Sequence, residues 1–365
     1  MKPIKAQKAA PNRYYQGPPS DHFDGTLFFN PHGMVPPGFR AFLKWRFGNK
    51  KTKWPKQEEN NISPALPSER VNGDDLRVTM IGHASLLIQV SGLNILTDPV
   101  WAERASPVQF AGPKRATAPG IKLDDLPPLD IVVITHNHYD HLCIQTLKKL
   151  QKEHEPHIVT PLGNDTIIKN SIAGASVSCL DWGESYEAAN GVRLSAEPCH
   201  HWSARGIADR RMALWAAFVF ETPAGNIYHI GDTGFHEGRN YRAAAAKYGG
   251  FRLANLPIGA YEPRFFMRNE HQDPGEAVEG MKLSEADFAV GHHFGTFQLT
   301  DEGIDDPVIR LEAALEQQGI EKARFRPLRP GEVFDVPLAL KQPINASGPV
   351  PAAPSSAVAQ RDSTD

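Results

Sequence analysis

The chain has 365 residues, 41% of them hydrophobic, and is therefore long enough to bury a substantial core in one large or two small domains. Its 39 basic and 42 acidic residues leave a formal net charge of −3, which argues against a nucleic-acid-binding protein. The three cysteines form no CxxC pair and leave an odd count, which argues against a disulfide framework and favours a reducing compartment.

Residues 1–56 are predicted to form an N-terminal arm. The beginning of the arm is basic but lacks the apolar stretch of a cleavable signal, and no run in the chain is long enough to span a bilayer, so we expect a cytoplasmic protein. Residues 37–56 place large apolar side chains near helical spacing among lysines and arginines: Phe39, Phe42, Leu43 and Trp45. This pattern predicts a basic amphipathic helix that either contacts a membrane surface peripherally or packs on the main domain.

Short β-type runs mix with helical segments between residues 57 and 340, which predicts a single α/β domain. Strands are expected at residues 76–81, 86–90, 93–97, 131–134, 157–160, 177–180, 192–196, 214–221, 227–230, 253–257 and 288–290. Helices are expected at residues 144–152, 239–248, 274–283 and 307–318. The Pro-, Ala- and Ser-rich segment 341–365 is predicted to be a disordered tail.

The most informative segment is THNHYDH at residues 135–141, directly after the apolar run at residues 131–134. Four of its side chains are potential metal ligands: His136, His138, Asp140 and His141. In extended backbone the first three project to one side, and a turn into a helix at Asp140 would bring His141 towards the same cavity. Imidazole nitrogens and carboxylate oxygens suit zinc and related first-row metals, so the segment predicts part of a site for two divalent cations.

Three later apolar runs also end in potential ligands. They are followed by the segments PCHHW at residues 198–202, GDTG at residues 231–234 and GHHFGTF at residues 291–297. Taken singly, a histidine or aspartate at a strand end is more often a cap or turn residue. Adjacent residues in extended backbone point to opposite faces, so only one histidine of each pair can readily face a metal, and the residues alone do not decide which.

Further motifs give the chain a resemblance to a known family. They are GHA (82–84), LTDP (96–99), RASP (104–107), GPKR (112–115), HNHYDHL (136–142), GDTG (231–234), PIGAYEPR (257–264) and HFGTF (293–297). From about residue 29 to about residue 332 the chain resembles the metallo-β-lactamase superfamily and, within it, the N-acylphosphatidylethanolamine-hydrolysing phospholipase D family and its bacterial relatives. The HxHxDH motif alone is typical of the superfamily, whereas the GAYEPR and GPKR segments are more particular to this branch.

The resemblance implies a four-layer αββα sandwich with metals at one edge of its two sheets. Metal-binding histidines of the family directly precede an aromatic residue, which favours His201 over His200 and His293 over His292. Two Zn²⁺ ions, or similar divalent metals, are implied with seven ligands: His136, His138 and His201 for one ion, Asp140, His141 and His293 for the other, and Asp232 as the bridge.

By the same resemblance, Tyr139 and His271 are expected near the substrate headgroup. Asp140 is expected to act as both ligand and proton acceptor, with His271 placing the headgroup or leaving group. Asp98 is expected to orient a metal ligand rather than to bind metal.

We therefore predict a zinc-dependent phosphodiester hydrolase with phospholipase D-type cleavage of N-acylphosphatidylethanolamine to N-acylethanolamine and phosphatidate. The alternative is a binuclear-metal lactonase or a phosphodiesterase that acts on a small soluble substrate. A non-enzymatic scaffold would normally have lost ligands, and none of the seven is missing. The expected partner is a phospholipid or other phosphodiester substrate, without nucleic acid, and both a peripheral membrane contact through residues 37–56 and a homodimer are left open.

Overall fold

The structure is a computed structural model that describes residues 11–33, 38–48, 51–58, 62 and 66–338. The predicted tail at residues 341–365 lies outside the described residues. The strands are β1 (Leu76–Gly82), β2 (Ser85–Val90), β3 (Leu93–Thr97), β4 (Ile131–Val133), β5 (His157–Pro161), β6 (Val177–Leu180), β7 (Ser185–Glu187), β8 (Arg193–Glu197), β9 (Ala217–Glu221), β10 (Ile227–His229), β11 (Phe251–Pro257), β12 (Ala286–His292), β13 (Phe325–Arg326) and β14 (Val333–Asp335). The α-helices are α1 (Phe39–Gly48), α2 (Ile144–Glu153), α3 (Asn164–Ser171), α4 (Arg239–Tyr248), α5 (Arg264–Met267), α6 (Pro274–Leu283) and α7 (Asp306–Gln317).

The strands form two seven-stranded sheets, ordered β14-β1-β2-β3-β4-β5-β6 and β13-β12-β11-β10-β9-β8-β7. In the first sheet β1, β2 and β3 are antiparallel neighbours, whereas β3, β4, β5 and β6 are parallel. The second sheet has the same plan, with antiparallel pairing from β7 to β10 and parallel pairing from β10 to β13. Within each sheet the parallel strands therefore end at a common edge, where their connections can carry a site.

Apolar side chains from both sheets fill the space between them. Val78, Ile88 and Ile95 come from the first sheet, and Phe218 and Leu253 come from the second. The outer face of the first sheet packs on α2 and α3, and the outer face of the second packs on α4, α6 and α7. Two sheets between two helical layers form the predicted αββα sandwich, and that prediction is confirmed.

The described part of the N-terminal segment lies against this sandwich. Phe23 and Phe28 are buried in the cluster that packs on the second sheet. Helix α1 lies beside α5, where the rings of Trp45 and Phe266 stack with their centroids 5.0 Å apart. The Trp45 indole N–H donates to an Asp301 carboxylate oxygen at 2.9 Å. The domain boundary at residue 56 stays a prediction, and among the described helices we find none with the length and apolar composition needed to cross a bilayer.

Candidate metal centre

The histidine-rich segment connects β4 to α2 at the edge where the parallel strands end. The backbone N–H groups of His141 and Leu142 both donate to the His138 carbonyl oxygen, at 3.1 and 2.8 Å. This turn carries His141 back towards His136. Helix α2 begins at Ile144, where the sequence predicted it, so His141 reaches the cluster through a turn and not through a helix that starts at Asp140.

All seven side chains predicted as ligands meet in one buried cluster at this edge. The cluster contains four groups, and within each group the potential ligand atoms all lie within 4.8 Å of one another. The groups are His83, Asp140, His141 and His293; His136, His138 and His201; His136, His141 and Asp232; and His201, Asp232 and His271. The first two groups contain the two sets of three ligands that the family pattern implies. Their roles as ligands stay predictions, but the fold brings them together.

The Asp232 carboxylate lies between these two sets. Its Oδ2 atom is 3.0 Å from His293 Nε2 and 3.2 Å from His141 Nε2, on one side. The same atom is 3.7 Å from His201 Nε2 and 3.9 Å from His136 Nε2, on the other side. A carboxylate within reach of histidines from both sets has the position that a bridging ligand requires.

Two glycines allow the strand-end loops to approach this closely. Gly231 has a φ angle of +64°, and a Cβ atom there would lie 2.9 Å from Cβ of Thr135. At Gly259 a Cβ atom would lie 2.1 Å from the carbonyl oxygen of His293. A larger residue at either position would push apart the loops that carry the clustered side chains.

Of each adjacent histidine pair, only the second member lies in the cluster, as the family pattern implies. His200 instead stacks on His236, with the ring centroids 4.0 Å apart. His292, the last residue of β12, has its ring centroid 5.3 Å from that of His229. Neighbouring side chains therefore face different surroundings, and a single histidine of each pair is available as a ligand.

Residues outside the cluster orient two of its histidines. His141 Nδ1 lies 2.8 Å from Asp98 Oδ2. The Asp98 carboxylate also accepts hydrogen bonds from the backbone N–H of Thr135 at 2.8 Å and from its hydroxyl at 2.7 Å. His201 Nδ1 lies 3.0 Å from the Glu270 carbonyl oxygen. Such contacts fix the tautomer and ring orientation of metal-binding imidazoles. Asp98 therefore lies where a residue that orients a ligand is expected.

Burial and nearby carboxylates divide the histidines into two electrostatic classes. Burial lowers the pKa of His138 to about 3 and that of His201 to about 4, and it lowers the pKa of His136 well below its ordinary value. Burial opposes the charge of His141 and His293 as well, but Asp232 and neighbouring carboxylates outweigh it. They raise the pKa of His141 well above its ordinary value and that of His293 to about 9.

The two central carboxylates are held in their ionised form. Burial acts to raise the pKa of Asp140 and Asp232, but His141 and His293 outweigh burial and lower both values well below the ordinary range. Without metal, protons on these two histidines thus balance the carboxylates. Metal ions bind neutral imidazole, so they would displace those protons and take over their positive charge.

Two buried residues beside the cluster had no role assigned from the sequence. His83, in the turn between β1 and β2, has its Nε2 atom 2.9 Å from Asp140 Oδ2. The sequence could have indicated a role for His83, because this residue follows a strand end just as the predicted ligands do. Glu270 is also buried, and burial raises its carboxyl pKa to about 8. Its burial depends on the path of a loop, for which the sequence carries no periodic signal.

The two residues predicted to contact substrate take different positions. The His271 ring adjoins the cluster, with its centroid 5.1 Å from that of His201 and 5.3 Å from that of His293. Tyr139 is partly exposed, and the Arg205 guanidinium covers its ring at 4.0 Å from the centroid. Only His271 belongs to one of the potential metal-binding groups, and both substrate contacts stay predictions.

Comparison with known proteins places this chain in a family. Residues 93–294 match the model of the beta-lactamase superfamily domain. The chain is 34% identical over 333 residues to N-acyl-phosphatidylethanolamine-hydrolyzing phospholipase D 1 of Caenorhabditis elegans, a match that covers 86% of this chain and 93% of that protein. It is 32% identical over 284 residues to the mitochondrial N-acyl-phosphatidylethanolamine-hydrolyzing phospholipase D of Saccharomyces cerevisiae, covering 76% of this chain and 60% of that protein.

A solved structure supports the fold. The isothiocyanate hydrolase from Delia radicum gut bacteria matches with a TM-score of 0.57 and 20% sequence identity, covering 71% of this chain and 99% of that one. At this identity the likeness concerns the fold alone. Sequence and fold comparisons agree, and the chain belongs to the metallo-β-lactamase superfamily, in the family of N-acyl-phosphatidylethanolamine-hydrolysing phospholipase D, as a metal-dependent hydrolase.

Proposed function

We propose that the chain is a zinc-dependent phosphodiester hydrolase that cleaves N-acylphosphatidylethanolamine to N-acylethanolamine and phosphatidate. The observation that carries this proposal is the Asp232 carboxylate, which lies between two sets of histidines at a buried strand edge. The choice of substrate comes from the relatives in Caenorhabditis elegans and Saccharomyces cerevisiae, whose names state this hydrolysis.

The donor atoms of the cluster fit a pair of divalent ions. His141 Nε2 and His293 Nε2 are buried and face the Asp232 carboxylate without an aligned hydrogen bond to it, and Asp232 Oδ1 has no hydrogen-bond partner among the described residues. Buried polar atoms without partners cost free energy unless an ion or water satisfies them. We assign the ligands as the family pattern does: His136, His138 and His201 to one ion, Asp140, His141 and His293 to the other, and Asp232 to both.

Zinc ions at this site would supply a nucleophile at neutral pH and offset the charge on the phosphate oxygens. The proposed catalytic residues of the chain are Asp140 and His271. The Asp140 carboxylate is ionised and can accept a proton as well as bind metal. His271 lies beside Asp232, with its Nδ1 atom 4.0 Å from Asp232 Oδ2, where it can place the leaving alcohol. Tyr139, at the partly exposed side, is proposed to contact the headgroup.

A substrate panel in water labelled with heavy oxygen tests this proposal. The zinc-loaded protein is given N-acylphosphatidylethanolamine micelles, ordinary phospholipids, bis(p-nitrophenyl) phosphate and a lactone, and products are identified by mass spectrometry. We expect N-acylethanolamine and phosphatidate, with the label in phosphatidate because attack occurs at phosphorus. Label in the alcohol would contradict attack at phosphorus. Hydrolysis of only the lactone or only the small diester would contradict the lipid substrate and favour the alternative, a lactonase or a phosphodiesterase that acts on a small soluble substrate.

We also propose that residues 37–56 contact a membrane surface peripherally. Helix α1 packs on α5 through Trp45, yet Phe47 is 81% exposed and Leu43 is 37% exposed. On the adjoining helix, Phe265 is 48% exposed. No acidic residue occurs between residues 25 and 57, a stretch that contains seven lysines and arginines: Arg40, Lys44, Arg46, Lys50, Lys51, Lys53 and Lys56. Exposed aromatic side chains in a stretch whose own charges are all positive favour an anionic lipid surface.

Vesicle sedimentation with point variants of the full chain tests the membrane contact. The vesicles contain phosphatidylcholine with or without phosphatidylglycerol. We expect binding to the anionic vesicles that weakens with salt and falls severalfold in Phe47→Ala. Leu338→Ala is the control, because this side chain is also 64% exposed. It lies beyond β14, near the start of β1 and away from the metal edge at the end of that strand, so its removal should leave binding unchanged. Equal losses in both variants, or no binding at all, would contradict the proposal.

A further inference from the structure

His83 connects two parts of the proposed metal site that come from different strands. It lies in the turn between β1 and β2, is 2% exposed and has a left-handed backbone, with φ of +58°. Its backbone N–H donates to the Thr296 hydroxyl at 2.8 Å. Its carbonyl oxygen accepts from the backbone N–H of His293 at 2.9 Å. The backbone of His83 is therefore tied to the loop that carries one proposed ligand.

The ring of His83 reaches a second proposed ligand. Its Nε2 atom lies 2.9 Å from Asp140 Oδ2, and its centroid is 4.1 Å from that of His293. The ring is also nearly perpendicular to that of Phe297, with the centroids 5.3 Å apart. One residue thus contacts Asp140 and His293, which are both proposed to hold the same ion.

We propose that His83 is a positioning residue that donates an Nε2–H hydrogen bond to Asp140 and so fixes this carboxylate relative to His293. The inference rests on the proposed metal site. It adds a residue to that site without adding a ligand. Carboxylates that bind metal typically accept hydrogen bonds from residues outside the ligand set, and these bonds hold them in orientation.

The hydrogen-bond partners of His83 favour positioning over ligation. A neutral imidazole carries one N–H, and His83 Nδ1 has no hydrogen-bond partner among the described residues. The proton therefore belongs on Nε2, where Asp140 accepts it, and this nitrogen then has no lone pair for a metal. By contrast, the proposed ligands His141 and His201 have partners at Nδ1, which leaves Nε2 free to bind metal.

Two substitutions in the full chain separate the possible roles of His83. His83→Gln can place an amide N–H near the position of Nε2, whereas His83→Asn is too short to reach Asp140. Asn also tolerates the left-handed backbone. Metal dissociation constants are measured by chelator competition, and cobalt(II) absorption spectra report the coordination of each ion.

We expect His83→Asn to weaken one of the two metal-binding steps by about 10- to 100-fold, while His83→Gln stays within about threefold of the unsubstituted protein. Equal weakening in both variants with an altered cobalt(II) spectrum would overturn the inference and make His83 a ligand. Unchanged binding in both would overturn it as well. If His83→Asn does not fold, by circular dichroism, retention of both metals in His83→Gln supports the inference and loss of one overturns it. Failure of the unsubstituted protein to bind metal would instead refute the proposed site itself.

Discussion

The interior of the sandwich and its metal edge are buried to the same degree but contain opposite kinds of residue. Three neighbouring strands each carry an apolar core residue followed by a polar one at the next position on the same face: Ile227 and His229 on β10, Leu253 and Asn255 on β11, and Val290 and His292 on β12. All six are 0% exposed. Burial stabilises the apolar members, whereas burial of the polar ones costs free energy unless they find partners. On each of these strands the side chains that stabilise the core therefore give way, within two residues, to polar side chains on the same face.

The largest expected effect comes from the centre of the metal edge. Asp232→Ala removes the carboxylate within reach of both sets of histidines, so we expect kcat/KM for the phosphodiester to fall by about 10³-fold or more. Asp335→Ala is the matched control, because Asp335 pairs with Arg77 far from the cluster and should leave kcat/KM within about twofold. Comparable activity in Asp232→Ala and the unsubstituted protein would contradict the proposed bridge.

The matching change in the apolar interior should affect stability instead. Ile88 is fully buried between the sheets, so Ile88→Ala should lower the free energy of unfolding by about 2–5 kcal/mol. Denaturant unfolding measures this loss, and Ile88→Val should lose about 0.5–1.5 kcal/mol. Metal content per folded molecule should not change in either variant. A selective loss of metal in Ile88→Ala would mean that the two regions are not separable.

An intermediate effect is expected where the two regions meet. Asp98 is buried beneath the cluster and contacts His141 without belonging to a potential metal-binding group. Asp98→Asn should weaken metal binding by about 10- to 100-fold, because the orientation of His141 is less well fixed. Chelator competition measures the change. Complete loss of one ion with altered coordination would show that Asp98 is itself a ligand.

The smallest effect is a pH dependence of the metal-free protein. A histidine whose pKa rises on folding stabilises the folded state below its ordinary pKa and loses that contribution as the pH passes the folded value. For His293 the pKa rises from 6.5 to about 9, so thermal stability without metal should fall across that interval, by about 1 kcal/mol or more. With zinc bound, this decline should be absent because His293 is then a neutral ligand. An equal decline of thermal stability with pH in the presence and absence of zinc would contradict the assignment of His293.

The same contrast explains what the sequence predicted well. The long core strands and the strand-end ligands were predictable because an apolar run followed by a polar turn is a local pattern. The edge strands β7, β13 and β14 were not predicted, because two or three residues are too few to show an alternation of buried and exposed side chains. Helix α3 was also missed. Its start after Gly163, which has a left-handed backbone, lacks a side-chain cap that would have marked it.

Within the site, the limits of prediction have a tertiary origin. The residues alone left each histidine pair undecided, and the family pattern was needed to favour His201 and His293. The contact between His83 and Asp140 joins residues 57 positions apart, so no local spacing could predict it. His271 could also be read as a residue that merely precedes a helix. In the structure Asp273 caps α6, and His271 lies two residues earlier beside the cluster.

Anomalous X-ray scattering at the zinc edge, from crystals of the zinc-loaded protein, tests the central claim most directly. We expect two peaks inside the cluster, one among His136, His138 and His201 and one among Asp140, His141 and His293, with Asp232 in contact with both. Their absence, or strong peaks confined to other parts of the chain, would contradict the proposed metal centre and the function assigned to it.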